Sequence, residues 1–293
     1  LDVLGSSKWE KKKNAAIQRT YDTAAELLNV QATRNLKKGT KYLIPTEEYK
    51  TFCNKFPYIE TVDQLKTISE IETDLQQTTP MDRLVCGEVG FGKTEVAMRA
   101  SFITAFNNHQ TCILVPTTLL AQQHYDNFIK RFSQTPITIE KLSRDLSPLK
   151  KKEILSALKE GKIDIIIGTH MLLQESVDFN NLGLLIIDEE HRFGVRQKER
   201  IKKFKQEVNL LYLSATPIPR SLNFALSKLK DLSIIATAPS DRLSVRTFVY
   251  GFNENLVKEC IQRELLRSGQ MYYLCNDLRL IEDRKQRIIK FFP

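Results

Sequence analysis

Residues 87–94 read GEVGFGKT, and residues 188–191 read DEEH. The first stretch has the spacing G-x-x-x-x-G-K-[ST]. Gly87, Gly90 and Gly92 let backbone N–H groups close around phosphate oxygens, because glycine tolerates unusual backbone angles and puts no side chain in the way. Lys93 can reach the β/γ-phosphates, and Thr94 can place its hydroxyl on Mg²⁺. A helix starting at this point aims its positive end at the anion. Glu88 and Phe91 in the loop and Glu95 just after it complete the candidate nucleotide contacts. The second stretch poses the opposite problem. Asp188, Glu189 and Glu190 follow the apolar run LLII. Like charges repel, and a carboxylate buried without a partner is costly. Lys93 and a Mg²⁺ ion would supply the missing positive charge. Asp188, at a strand tip, can hold the ion through its water shell, and Glu189 can orient and activate the water that attacks the γ-phosphate. The pair of stretches predicts binding and hydrolysis of ATP with Mg. Glu190 is either solvated or salt-bridged. His191 is either a plain polar residue or a link from the nucleotide to other motifs.

These residues need a scaffold that brings strand ends together. From about residue 80, short apolar runs at 83–86, 111–115, 137–142, 163–167, 183–187, 209–213 and 232–236 read as strands. Helical stretches near 94–107, 118–132, 148–160, 195–206 and 219–228 separate most of them. This alternation predicts an α/β fold, a parallel sheet with helices on both faces, in which ligands bind beyond the carboxyl ends of the strands. Three further strand ends carry hydroxyl and basic groups: PTTLLAQQH (116–124), GTH (168–170) and SATPIPR (214–220). Such groups serve either as helix caps or as contacts to a phosphodiester backbone.

Outside the sheet, residues 6–38 read as one long helix. It opens on Ser7-Lys8-Trp9-Glu10, which has capping-box form, and Gly39 can stop it. Residues 237–245 read as a linker. VRTFVYGF (245–252) and QMYYLCN (270–276) read as strands flanking a helix over 255–266, the start of a second α/β unit. The expected organisation is a helical arm over 1–50, a motor domain over 51–240 and a truncated second domain over 241–293. The missing initiator Met and the stop after IIKFFP suggest a piece of a longer protein.

Composition is that of an ordinary globular chain, 42% apolar and 27% charged. Its longest apolar runs are strand-sized, so no membrane span is expected. Five scattered cysteines without C-x-x-C spacing fit reduced thiols and a cytoplasmic setting better than disulfides or a zinc site. The net charge of +9 favours a polyanionic partner without naming one. Basic clusters at 150–152 and 196–205 are either solvated helix faces or polyanion contacts.

The ordered set GEVGFGKT, PTTLLAQQH, GTH, DEEH and SATP resembles the first motor domain of superfamily 2 helicases and translocases. Longer phrases, such as MDRLVCGEVGFGKTEVAMRA and LLIIDEEHRFGVRQKERIK, resemble its transcription-coupled repair branch. The alternative is a replication-fork helicase of the RecG type, which shares the DEEH box. WEKKKNAAIQRTYDTAAELLNVQATR resembles the arm, and FPYIETVDQ the adenine-recognition segment, of the first branch. The resemblance implies a RecA-like ATP-driven translocase on double-stranded DNA. RNA polymerase and UvrA would be its partners through regions absent from this chain. Phe56 and Gln64 would recognise adenine by stacking and hydrogen bonds. Thr117, Thr169 and His170 would meet the DNA backbone. His191, Ser214 and Thr216 would couple ATP state to DNA grip, with Arg220 a further contact. The resemblance also implies an arginine finger in the second motor domain, so these residues alone would turn ATP over very slowly or act as a non-catalytic nucleotide-binding module.

Overall fold

The computed structural model describes residues 39–204, 208–215, 231–240, 242 and 245–291. The helices expected over 6–38 and 219–228, with Thr216 and Arg220, lie outside the described residues. Two helices, α1 (Thr46–Asn54) and α2 (Val62–Leu75), precede the sheet. The sheet region then runs β1 (Asp82–Gly87), α3 (Lys93–Phe106), β2 (Gln110–Leu114), α4 (Thr118–Phe132), β3 (Ile139–Leu142), α5 (Pro148–Lys159), β4 (Ile165–Gly168), β5 (Leu182–Asp188), α6 (Val195–Phe204), β6 (Asn209–Ser214) and β7 (Asp231–Ile235). All seven strands anticipated from the apolar runs form. They join one parallel sheet in the order β3-β4-β2-β5-β6-β1-β7.

Strand alternation divides the core. Ile113, Ile165, Ile167, Ile186 and Leu211 point to one face and pack with Val96, Ile103 and Phe128 of α3 and α4. Cys112, Ile166, Leu185, Ile187 and Leu210 point to the other and meet Ile154, Leu158 and Ile201 of α5 and α6. Because both faces are covered, the strands are near-continuous apolar runs rather than alternating ones.

Residues 39–54, in part assigned from sequence to the arm, pack into this core. Tyr42 is 1% exposed, Tyr49 and Phe52 are buried, and α1 crosses residue 50. The chain divides into two compact units after Arg242. In the second, α7 (Glu254–Leu266) and α8 (Ile281–Phe291) form. The strands expected at 245–252 and 270–276 do not form. A strand needs a ladder partner, and none pairs with these segments among the described residues; Val249, Tyr272 and Leu274 are exposed.

Helix α2 is fastened to the β1–β7 edge by a buried ion cluster. Arg83 Nε lies 2.6 Å from Asp74 Oδ2, and Arg83 Nη1 lies 3.2 Å from Glu70 Oε2 and 3.0 Å from Ser233 Oγ. Burial raises the Asp74 carboxyl above its ordinary pKa even with Arg83 beside it. Removing one partner leaves a buried charge uncompensated. Arg83→Ala is therefore expected to destabilise the domain by about 3–5 kcal/mol in urea unfolding. Lys159→Ala, which breaks the exposed 3.0 Å pair with Asp178, is expected to leave the unfolding midpoint where it was.

Candidate functional site

The parallel register puts three strand tips side by side. Cys86 of β1 pairs with Ser214 of β6, and Leu213 of β6 pairs with Asp188 of β5. The loop after β1 runs directly into α3. Gly92 caps that helix with φ +80°, and no side chain caps its first turn, so early backbone N–H groups remain for an anion. Gly90 is also left-handed, φ +84°. Gly87 is not; there a Cβ would lie 3.1 Å from the Ile235 Cβ and carbonyl oxygen, so its glycine serves the close approach of β7. Lys93 Nζ donates to the carbonyls of Gly87 at 2.5 Å and Glu88 at 3.1 Å. Burial draws its ammonium below the ordinary pKa. Asp188 and Glu189 oppose that shift, and Arg242 adds to it. Lys93 thus lies within electrostatic reach of both carboxylates.

Asp188 and Glu189 are held differently. Asp188 Oδ2 lies 3.2 Å from Nε2 of His124, which is 8% exposed. Glu189 takes the left-handed conformation, φ +52°, uncommon for a residue with a side chain. Its Oε1 accepts the Ala215 N–H at 2.9 Å, and its Oε2 lies 3.3 Å from His191 Nδ1. His191 therefore contacts Glu189. Glu190 is half-buried. The hard oxygens of Thr94 and Asp188 suit Mg²⁺, which keeps most of its waters and takes few protein ligands. Among the described residues, no group of three or more His, Cys, Asp and Glu side chains could hold a metal.

A cavity of about 1510 Å³ is lined in part by Phe56, Gln64, Gly90, Thr94, Glu95 and Arg242. Two expected contacts there have other work. Gln64 is 5% exposed. Its Oε1 accepts the Thr61 N–H at 2.8 Å in a capping box, and its Nε2 donates to the Phe91 carbonyl at 2.9 Å. It braces the phosphate loop in place of presenting an open edge. Glu95 is buried between two arginines. Arg99 Nε donates to it at 2.9 Å, and Arg131 donates through Nη2 at 2.8 Å and Nε at 3.0 Å. Glu95 is therefore a structural ion-pair centre, because a carboxylate at this depth needs both partners. Arg99 also pairs with Glu60. Burial works against ionising Glu60, but the Arg99 hydrogen bond, a backbone hydrogen bond and the charges of Arg99 and Arg131 together outweigh it and hold the carboxyl below its usual pKa. Phe91 packs into the core. Phe56 is half-buried, its ring 5.7 Å from the Arg99 guanidinium and 5.5 Å from Tyr58, and it lines the cavity.

At the other strand tips, Thr117 is exposed and caps α4, its Oγ1 accepting the Leu120 N–H at 3.2 Å. Thr169 is 3% exposed and its hydroxyl has no partner among the described residues, so it does not present that hydroxyl at the surface. The register explains this: Gly168, the last residue of β4, sits between β2 and β3, so the next side chain is still covered. His170 Nε2 lies 3.1 Å from Arg144 Nη2. Ser214 ends β6, half-buried. Sequence reasoning missed His124, Arg99, Arg131 and Arg242. His124 carried a signal, since it lies two helical turns after Thr117 on the face that starts at the sheet. The arginines carried none.

A phosphate loop set against an acidic strand tip on a parallel sheet is the arrangement of a P-loop nucleotide-binding domain. Residues 61–224 match the DEAD/DEAH box helicase family, and the chain belongs to it. Over its whole length it is similar to the transcription-repair-coupling factors of Escherichia coli (strain K12), 52% identical over 26% of that protein, and of Myxococcus xanthus, 48% identical over 24%. The chain thus spans about a quarter of the length of these curated relatives. Among solved structures it is similar to RecG bound to a three-way DNA junction, with TM-score 0.77 and 34% identity over 90% of this chain and 36% of that one.

Gly92 links loop and brace. A Cβ there would overlap the Gln64 amide nitrogen, and φ +80° disfavours any L side chain. Gly92→Ala is expected to destabilise by about 1–2 kcal/mol from the backbone alone, plus the displacement of Gln64. In a double-mutant cycle read by urea unfolding, Gly92→Ala in a Gln64→Ala background is expected to cost less than in the unaltered chain.

Proposed function

We propose that this chain is the ATP-binding part of a motor that translocates along double-stranded DNA, displaces stalled RNA polymerase and couples transcription to excision repair. The observation that carries the reading is the convergence of Lys93, after β1, with Asp188 and Glu189, at the end of β5, across the tip of the intervening β6. The whole-length similarity to transcription-repair-coupling factors supports the choice of process. RNA polymerase and UvrA would be met through regions of a longer protein.

Each residue's part follows from its surroundings. The Lys93 ammonium now shares neutral carbonyls, and anionic β/γ-phosphate oxygens are stronger acceptors for it. The uncapped N–H groups at the start of α3 take further phosphate oxygens. Thr94 and Asp188 would hold Mg²⁺, which when bound neutralises charge developing between the β- and γ-phosphates. His124 keeps the Asp188 carboxylate in one orientation. Glu189, fixed by Ala215 N–H, accepts the proton of the attacking water as its oxygen bonds to the γ-phosphorus and the bond to the departing ADP oxygen breaks. Thr117, His170 and Arg144 offer phosphate-backbone contacts at the same end of the sheet.

The likeness to RecG supports a second reading, a fork or branch-migration helicase. The two separate in one assay on the longer gene product: ATP-dependent release of stalled RNA polymerase supports the first, and fork regression without that release supports the second. For the 293 residues alone, calorimetry is expected to show Mg²⁺-dependent ATP binding that Lys93→Ala abolishes. Turnover should be slower than that of the longer protein by about 10³–10⁵, the contribution of an arginine finger. Full DNA-stimulated turnover by this chain would contradict that reading. DNA binding should fall steeply with added salt; a flat response would assign the basic clusters to solvent.

A further inference from the structure

We propose that Arg242 is a nucleotide contact whose guanidinium plane forms one face of the site for the purine base; this rests on reading GEVGFGKT as the ATP site. Arg242 follows β7 on a stretch tied back to the helix that bears Gln64. Asp63 Oδ2 accepts from the Ala236 N–H at 3.0 Å, the Thr237 N–H at 2.8 Å and the Thr237 hydroxyl at 2.8 Å. The Arg242 N–H closes a turn onto the Pro239 carbonyl at 3.1 Å. The side chain then lies over the phosphate loop. Its guanidinium carbon is 4.8 Å from the Phe91 ring centroid, and Nη1 is 3.2 Å from Glu88 Oε2. A Cβ at Gly90 would meet its Cδ, Nε and Cζ at 3.6–4.0 Å, so the arginine side chain lies within van der Waals reach of the loop backbone.

This arginine is available to a ligand. A guanidinium has five N–H donors in one plane, and among the described residues the hydrogen-bond partner of Arg242 is Glu88, whose side chain is 65% exposed. Arg242 lines the same cavity as Phe56, Gln64 and Thr94. Its guanidinium lies over the Phe91 ring on the wall shared with Gln64 and Phe56, where a flat, weakly hydrated cation stacks on a π-face. A base-free polyphosphate separates this role from a phosphate contact beside Lys93.

Calorimetric titration of the 293-residue chain with ADP and with inorganic tripolyphosphate, which has no base, tests this. Arg242→Ala is expected to weaken ADP binding about tenfold, the scale of one base-stacking contact, and to leave tripolyphosphate binding unchanged. Arg242→Lys, which keeps the charge and loses the plane, is expected to be as weak as the alanine variant. Unchanged ADP affinity in Arg242→Ala, equal loss for both ligands, or full rescue by lysine each overturns the proposal. Thermal unfolding of each variant separates loss of fold from loss of contact. If the unaltered chain binds neither ligand, the phosphate-loop reading itself fails.

Discussion

The site depends on one electrostatic arrangement: a lysine ammonium and two carboxylates brought within reach of each other at the ends of parallel strands. Neither side is comfortable alone. Burial pulls Lys93 toward its neutral form, and Asp188 and Glu189 pull it back. Cys86, at the base of the same loop, shows how apolar the surroundings are, its thiol pushed up to about 11 chiefly by burial. In such a setting charges act with more force than in water. A multiply charged anion with its cation can therefore be gripped by few residues, provided they are held still.

Holding them still is the task of the buried ion pairs outside the glycine loop. Glu95, Arg99, Arg131 and Glu60 tie α3 to α4 and to the segment bearing Phe56. The Arg131 guanidinium lies 3.8 Å from the Phe52 ring centroid, adding α1 to the cluster. Arg83, Asp74, Glu70 and Ser233 do the same for α2, β1 and β7. Buried pairs are weak contributors to net stability but strong specifiers of position, since a shift of either partner leaves a bare charge. The first cluster lies on the helix that follows the loop, and the second anchors the strand that leads into it.

The unequal legibility of the fold and the site follows from these physical scales. All seven strands and their parallel pairing were readable because a strand covered on both faces must be apolar along its length. The phosphate loop and the acidic tip were readable because their chemistry is local. What the sequence did not show involved a third dimension. Glu95 is one residue past the loop motif, yet its partner Arg131 is 36 residues away. Thr61 and Gln64 had the spacing of a capping box, but the bond from Gln64 to Phe91 spans 27 residues. The resemblance assigns Thr169 to the DNA backbone, and only the register of neighbouring strands shows that its side chain is covered. The segments at 245–252 and 270–276 have strand-like composition, but composition cannot supply the partner a ladder requires.

Glu189 shows how far a local reading can go and where tertiary structure takes over. Sequence places it beside Asp188 and assigns it to the attacking water. The fold adds the left-handed backbone that turns it away from the strand direction and the Ala215 N–H that fixes one carboxylate oxygen. An L residue adopts that conformation at a cost of about 1–2 kcal/mol, which surrounding contacts must offset. Here the contact is to the residue just after β6, in the SATP stretch. A carboxylate poised for chemistry is therefore also a brace between two strand-end loops. Any change in the charge opposite Glu189 acts on the Ala215 hydrogen bond, because both draw on one delocalised carboxylate. The carboxyl end of β5 and the residue after β6 are thus joined by this side chain as well as by the Glu189 N–H, which donates to the Leu213 carbonyl at 2.9 Å.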